Sequence, residues 1–339
     1  MKAALEAIWW RRAPPPLLLR WLEALYAAVA DRIARRRRAS ATRLPVPVVI
    51  IGNIAIGGTG KTPMTLMVVE LLQSLGATPG VLSRGYGGSG PFPAAVTAHT
   101  ASALAGDEPV LMAQRARVPL WVAPSRVSAG QALLAAHPEV DVLVCDDGLQ
   151  HYALARDVEI CVIDGVRGHG NGHRLPAGPL REWPARAAQC DLLLVNGADA
   201  APYGSNALRF DLVMGDAMSL HGGTTRALAS FAGAPLHALA GIGNPQRFFD
   251  GLRTLGLAPT VQAFADHHAY RTEELTFAGD APVLVTEKDA VKIRALALPQ
   301  PERFWVVPVT AVMSQVARQR VQECLASALS LRRTPARNP

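Results

Sequence analysis

Short runs that are apolar at almost every position punctuate this chain; residues 46–51, 158–164 and 192–196 are three of them. A strand covered on both faces has no polar side, so such runs predict a parallel sheet. Between them lie longer segments whose apolar residues recur at helical spacing. In order, the pattern predicts a helix over 61–75, a strand over 79–83, a helix over 108–115, a strand over 119–122, a helix over 125–136 and a strand over 140–146. Pro63 does not break the first helix, because proline in the first turn sacrifices no intrahelical donor. The alternation reads as α/β, with a mostly parallel sheet and helices on both faces. Residues 199–235, rich in Ala and Gly, read as a linker. Beyond them a second, smaller α/β set is predicted: strands over 236–240, 282–286 and 304–309, helices over 245–255, 272–278 and 288–297, and a final helix through 331, with a frayed tail at 332–339. A length of 339 residues accommodates this division, since single cores stop growing at roughly 250 to 300 residues. The expected units are 1–43, 44–225 and 226–339.

Charge changes the picture at one end only. Residues 1–43 hold ten Lys or Arg against three acids, which accounts for the whole net charge of +7. The body therefore has no surplus to spread along a nucleic-acid backbone. Within this segment Leu18, Leu22, Leu25, Val29 and Ile33 recur at helical spacing, and the run ends in Arg35-Arg36-Arg37-Arg38. Arg20, Glu23, Asp31 and Arg32 interrupt it, so it is a poor transmembrane span. A basic amphipathic helix of this kind suits an anionic membrane surface; docking of its apolar face on the same protein is the alternative. The basic cluster follows the apolar run instead of preceding it, which argues against a secretory signal. Cys145, Cys161, Cys190 and Cys324 show no zinc spacing and read as reduced thiols.

The chemistry begins behind the first strand. Gly52-Asn53-Ile54-Ala55-Ile56-Gly57-Gly58-Thr59-Gly60-Lys61-Thr62 places a glycine-rich turn between a strand and a helix. Gly57, Gly58 and Gly60 let backbone N–H groups point inward around a phosphate, and the helix start adds partial positive charge. Lys61 suits the β- and γ-phosphates and the Thr62 hydroxyl suits Mg²⁺. Ala55 stands where the G-x-x-x-x-G-K-[ST] pattern wants glycine. Further on, an apolar strand ends in Asp146-Asp147-Gly148, the place where a second Mg²⁺-organising acid sits in a phosphate-loop fold. A plain turn is the other reading of those two acids. Gln150 and His151 follow within reach of the phosphates or the acceptor, unless His151 is structural.

Asp107, in Gly106-Asp107-Glu108-Pro109, reads either as a helix N-cap or as a general base taking a proton from an attacking hydroxyl. His267, beside Asp266, is a candidate partner for it across a cleft. Ser83-Arg84-Gly85-Tyr86-Gly87-Gly88 suits a sugar or phosphate, or is a tight turn, and Arg181-Glu182 offers another cation for phosphate charge.

Together these blocks, with Leu175-Pro176-Ala177-Gly178-Pro179-Leu180-Arg181-Glu182, Ala265-Asp266-His267 and Thr286-Glu287-Lys288-Asp289-Ala290-Val291-Lys292, resemble the tetraacyldisaccharide 4'-kinase family of lipid A biosynthesis. They occur in order from about residue 5 to 310, and the family's loop is not strict at the place of Ala55. The resemblance implies a P-loop NTPase-like core with a smaller C-terminal domain, and ATP and Mg²⁺ as cofactors. It implies a lipid-linked glucosamine disaccharide 1-phosphate as acceptor, and residence on the cytoplasmic face of the inner membrane. No nucleic acid and no obligate protein partner is expected. It also implies roles for Lys61 and Thr62 at nucleotide and metal, for Asp146 and Asp147 at the metal, and for Asp107 as base paired with His267. Tyr86, Glu108, His151, Arg181 and Glu182 are implied to line the substrate site. From the residues alone, a phosphate-loop switch or partitioning ATPase and a kinase for a soluble sugar are the competing readings. A GTPase is disfavoured because Lys288 stands one position late for a guanine reader.

Overall fold

The apolar runs assemble into two sheets in the computed structural model, which describes residues 2–10 and 14–330. The first sheet has nine strands in the order Val309–Val312, Ala207–Met214, Leu192–Asn196, Val158–Asp164, Val48–Gly52, Val142–Cys145, Pro79–Ser83, Leu120–Val122 and Ala94–Ala95. The inner strands are parallel, and the two edge strands are antiparallel to their neighbours. Val48–Gly52 sits in the middle and is buried at every position, as its unbroken apolar run requires. Its neighbours are Val142–Cys145 and Val158–Asp164, so the turn after Gly52 and the acids after Cys145 emerge side by side. That crevice beyond the carboxyl ends of the strands is where open α/β sheets hold ligands.

Each face of the sheet carries its own core. On one, helices Lys61–Ser74, Asp107–Ala116 and Gln315–Ser330 contribute Met64, Val68, Leu72, Met112, Val321 and Leu325. On the other, Leu44, Ala129, Leu133, Leu149, Leu154 and Leu180 pack together. Fully buried side chains such as Leu72 and Leu133 each stabilise the fold by roughly 2 kcal/mol. The second sheet runs Thr225–Arg226, Ala217–Ser219, Phe304–Val307, Val283–Thr286, His237–Ala240 and Thr260–Ala263, with helix Pro245–Thr254 placing Phe248, Phe249 and Leu252 in its core.

Two expectations differ from the chain path. Residues 199–235 are not a linker: Ala207–Met214 joins the first sheet beside Leu192–Asn196, and the next two strands join the second. The strand lies near the sheet edge, where the exposed pair Arg209 and Asp211 interrupts the apolar pattern. Nor is 226–339 one continuous unit. Val309–Val312 returns to pair with Ala207–Met214, and the last helix buries Val321, Leu325 and Ala328 against the first sheet's core. The 272–278 helix is a single 3-10 turn, Thr272–Leu275. The 332–339 tail, and the basic residues Arg11 and Arg12, lie outside the described residues.

The basic helix spans Leu17–Ala39, ending one residue beyond its arginine cluster. It docks through its polar side: Glu23 is buried at 6% exposure, while Leu18 and Trp21 are 71% and 77% exposed. Leu22, Leu25, Val29 and Ile33 complete an apolar stripe facing away from the body.

Candidate active site

The chain leaves Val48–Gly52, turns through the glycine-rich segment and enters helix Lys61–Ser74 with Gly60 as its N-cap. Gly57 and Gly60 have φ of 104° and 98°, conformations that cost glycine nothing and other residues a good deal. A Cβ on Gly60 would also lie 3.1 Å from Asn196 Nδ2 and 3.2 Å from Leu212 Cδ1. The turn is held open from below: Asn196 Nδ2 donates to the Thr59 carbonyl at 3.1 Å, and Asn53 Nδ2 to Thr59 Oγ1 at 3.4 Å. Gly57 and Gly58 are exposed, and nothing lies within 4 Å of a Cβ built on Gly58. Thr62 is half-buried in the first helical turn, where the free N–H groups of the helix start favour an anion.

Asp146 and Asp147 reach this turn from the neighbouring strand end. Asp146 is buried and accepts a hydrogen bond from Thr65 Oγ1 at 2.9 Å. Burial pushes its pKa up to about 7, with Glu108 and Asp147 adding to the rise and Lys61 opposing it. Asp147 adopts a φ of 46°, which aims its carboxylate at two cations: Lys61 Nζ at 3.6 Å and Arg181 Nη1 at 3.5 Å. Burial alone would raise its pKa, but Lys61, Arg181 and Arg126 together hold it below the ordinary carboxylate range. Among the described residues no group of three or more His, Cys, Asp and Glu converges on a metal position. Mg²⁺ needs no such cage, taking one or two carboxylates together with phosphate oxygens. The oxygen donors Asp146, Asp147 and Thr62 fit it, and the raised Asp146 pKa marks a buried carboxylate short of positive charge.

Asp107 faces the same cleft from helix Asp107–Ala116. Gly106 is that helix's N-cap, so Asp107 is its first helical residue and not the cap. A Cβ at Gly106 would stand 2.2 Å from the Tyr86 carbonyl, so glycine there lets the Ser83 to Gly88 segment press against the helix start. Asp107 Oδ2 lies 3.3 Å from His267 Nδ1 and 3.7 Å from Lys292 Nζ. A carboxylate only accepts, so Nδ1 carries the proton in that contact. His267 has a φ of 61°, and its ring centroid is 5.3 Å from that of Tyr86. Strained backbone at Asp147 and His267, two of the three described non-glycine residues with positive φ, is characteristic of functional sites. Lys288 Nζ bridges Glu108 Oε1 and Asp266 Oδ1 at 3.2 Å each, and Glu287 pairs with Arg115, so helix Glu287–Ile293 fastens the two lobes at the cleft. Across it, a Cβ on Gly243 would lie 3.9 Å from the Gly58 backbone nitrogen.

The structure thus brings together Gly57, Gly58, Thr59, Gly60, Lys61, Thr62, Asp146, Asp147 and Arg181 on one wall, and Tyr86, Asp107, Glu108 and His267 on the other. Arg181 also donates to Gln150 Oε1 at 2.9 Å and to Asn53 Oδ1 at 3.2 Å. Glu182 is occupied within the protein, accepting from Gln150 Nε2 at 2.8 Å and from the Tyr152 hydroxyl. His151 Nε2 accepts the Arg126 backbone N–H at 3.3 Å. Burial, then Arg126, Arg37 and other arginines push its pKa down to about 4, so it is neutral. Sequence reasoning missed Thr65, Asn196, Lys288 and Lys292 as site residues. The two lysines stood inside a recognised block, but nothing local showed what they face.

The model of the family described as tetraacyldisaccharide-1-P 4'-kinase matches residues 16–329. A tetraacyldisaccharide 4'-kinase of Pseudomonas paraeruginosa is 50% identical over 317 residues, covering 91% of this chain and 93% of that protein. One from Stenotrophomonas maltophilia is 48% identical, covering 89% and 91%. The crystal structure of "apo" form LpxK from Aquifex aeolicus in complex with ATP superposes with a TM-score of 0.76 at 23% identity, over 91% of this chain and 97% of that one; this likeness establishes the fold.

Proposed function

The chain belongs to the tetraacyldisaccharide-1-P 4'-kinase family, and from that premise we propose that it transfers the γ-phosphoryl group of ATP to the 4'-hydroxyl of a tetraacyldisaccharide 1-phosphate. The product is the 1,4'-bisphosphate lipid A precursor. The observation that carries this reading is the cleft itself, with a phosphate loop on one wall and a carboxylate–histidine pair on the other.

Phosphoryl transfer asks the protein for positioning and charge neutralisation more than covalent chemistry. The N–H groups of the 57–62 turn and Lys61 hold the phosphate tail, with Lys61 and Arg181 meeting charge that builds on the transferred group. Thr62, Asp146 and Asp147 would hold the Mg²⁺, which when bound neutralises phosphate charge. Asp107 takes the proton from the attacking hydroxyl, and His267 holds that carboxylate in place. Tyr86 and Glu108 border the acceptor's approach. His151, neutral and with Nε2 already engaged, has its Nδ1–H left to donate.

The acceptor carries acyl chains and sits in a bilayer. Among the described residues no helix is long and apolar enough to cross a membrane. The exposed stripe Leu18, Trp21, Leu22, Leu25, Val29 and Ile33 with the Arg35 to Arg38 cluster supports peripheral contact with the anionic cytoplasmic face of the inner membrane. Each arginine near that surface contributes about 1 kcal/mol. The test is turnover by the purified full-length protein with ATP, Mg²⁺ and the disaccharide 1-phosphate in mixed micelles. The bisphosphate is the expected product, and ATP hydrolysis without acceptor phosphorylation would overturn the assignment.

A further inference from the structure

Helix Leu17–Ala39 turns polar groups toward the body, and those groups lead to Arg181. Glu23 Oε1 accepts the Arg174 backbone N–H at 2.6 Å, and its Oε2 lies 2.9 Å from His173 Nδ1. Asp31 Oδ1 accepts from Arg174 Nη1 at 2.8 Å. Arg174 is 1% exposed, with its guanidinium 5.3 Å from the Tyr26 ring centroid and 5.6 Å from that of Trp183. Burying the charges of Arg174 and Glu23 is a costly way merely to park a helix, since apolar contact does that more cheaply. This network converges on one atom. Arg174 Nε donates to the Arg181 carbonyl at 3.2 Å, and the Tyr26 hydroxyl donates to the same carbonyl at 3.4 Å.

The other side of Arg181 is fastened to the phosphate loop. Its backbone N–H donates to the Ile54 carbonyl at 2.6 Å, Leu180 bridges Ala55, and the Ile56 N–H donates to the Pro179 carbonyl at 2.9 Å. The backbone of Arg181 is therefore held between the glycine-rich turn and the basic helix. From there its guanidinium reaches Asp147, Gln150 and Asn53.

We infer that Tyr26, Glu23, Asp31 and Arg174 are positioning residues for Arg181, so that the helix bearing the exposed apolar stripe also sets the aim of the arginine beside the phosphate loop. This rests on the reading of Arg181 as a cation acting on phosphate charge. A planar guanidinium is sensitive to direction, and a displacement of about 1 Å in a positioning group can cost on the order of a hundredfold in rate.

The experiment uses the full-length protein, with the disaccharide 1-phosphate in mixed micelles for turnover and anionic phospholipid vesicles for binding. Arg174→Met should lower kcat roughly tenfold or more, and Tyr26→Phe, which deletes one hydroxyl, roughly two- to fivefold. The KM for ATP and vesicle binding should stay within about twofold of wild type in both. In an Arg181→Ala background neither change should lower kcat further, because groups acting through one residue are not additive. Unchanged kcat in Tyr26→Phe and Arg174→Met, while Arg181→Ala is impaired, would overturn this inference alone. Losses that add to that of Arg181→Ala, or that track vesicle binding, would overturn it too. Wild-type kcat in Arg181→Ala would overturn the role of Arg181 and this inference together. If Arg174→Met does not fold, Tyr26→Phe and its double variant carry the same decisions.

Discussion

Lys61 and Asp147 meet because two adjacent parallel strands end at the same level, whereas Asp107 and His267 stand 160 residues apart and meet only where two lobes touch. The first contact is written into local sequence as a strand, a glycine turn and a strand-end acid. The second depends on helix Glu287–Ile293 packing on helix Asp107–Ala116, with Lys288 and the Arg115–Glu287 pair across the seam. One wall is thus prebuilt by a sheet. The other exists only while the lobes are closed on each other, so its groups are the ones a hinge motion would separate.

The comparison can be broken most severely at its two anchors. Lys61→Ala and Asp107→Ala should each lower kcat by at least about a hundredfold. They should differ in ATP affinity: Lys61→Ala weakens it, and Asp107→Ala leaves it near wild type by calorimetry. If both lose ATP affinity equally, the two walls are not separable. If Asp107→Ala keeps wild-type kcat, the carboxylate is not the base. His267→Ala comes next, with roughly a tenfold loss in kcat, since an orienting partner does less than the base it holds.

Smaller effects sharpen the electrostatics of the prebuilt wall. Asp146 has a pKa raised by burial to about 7, so its ionised form is less favourable in the folded protein than in the unfolded chain. Stability from this residue is therefore lost as pH rises from about 4 through about 7. In metal-free protein, Asp146→Asn should accordingly raise Tm, with an advantage that grows from pH 5 to pH 8 and shrinks when Mg²⁺ and nucleotide are added. A Tm difference independent of pH would contradict that account. The smallest expected change is at His151, whose pKa is pushed down to about 4. A neutral histidine of this kind stabilises fully above its unfolded pKa of about 6.5, and that contribution is lost as pH falls toward 4. The Tm gap between wild type and His151→Gln should narrow across that window.

Legibility in the sequence followed the same divide. Val48–Gly52, Val158–Asp164 and Leu192–Asn196 were readable because strands covered on both faces leave no polar interruption. Ala207–Met214 was not, because Arg209 and Asp211 on its exposed side hide the pattern. The glycine turn, Lys61 and the paired acids announce themselves by spacing. Asp107 and His267 were candidates only through the blocks that contain them, and Lys292 and Thr65 carry no local mark of the groups they face. Nor does periodicity tell which side of an amphipathic helix meets the body: the side bearing Glu23 and Asp31 docks because His173 and Arg174 await it.

The return of Val309–Val312 to the edge of the first sheet bears on how this protein can be handled in pieces. A fragment cut at residue 225 would leave Ala207–Met214 with a row of unpaired backbone groups, an invitation to self-association. It would also strip Val321 and Leu325 from the hydrophobic surface they cover. Two-piece reconstitution should therefore work only when 309–330 is grafted back onto a segment ending after Met214, with the 215–308 excursion, which carries all six strands of the second sheet, supplied as the separable insert.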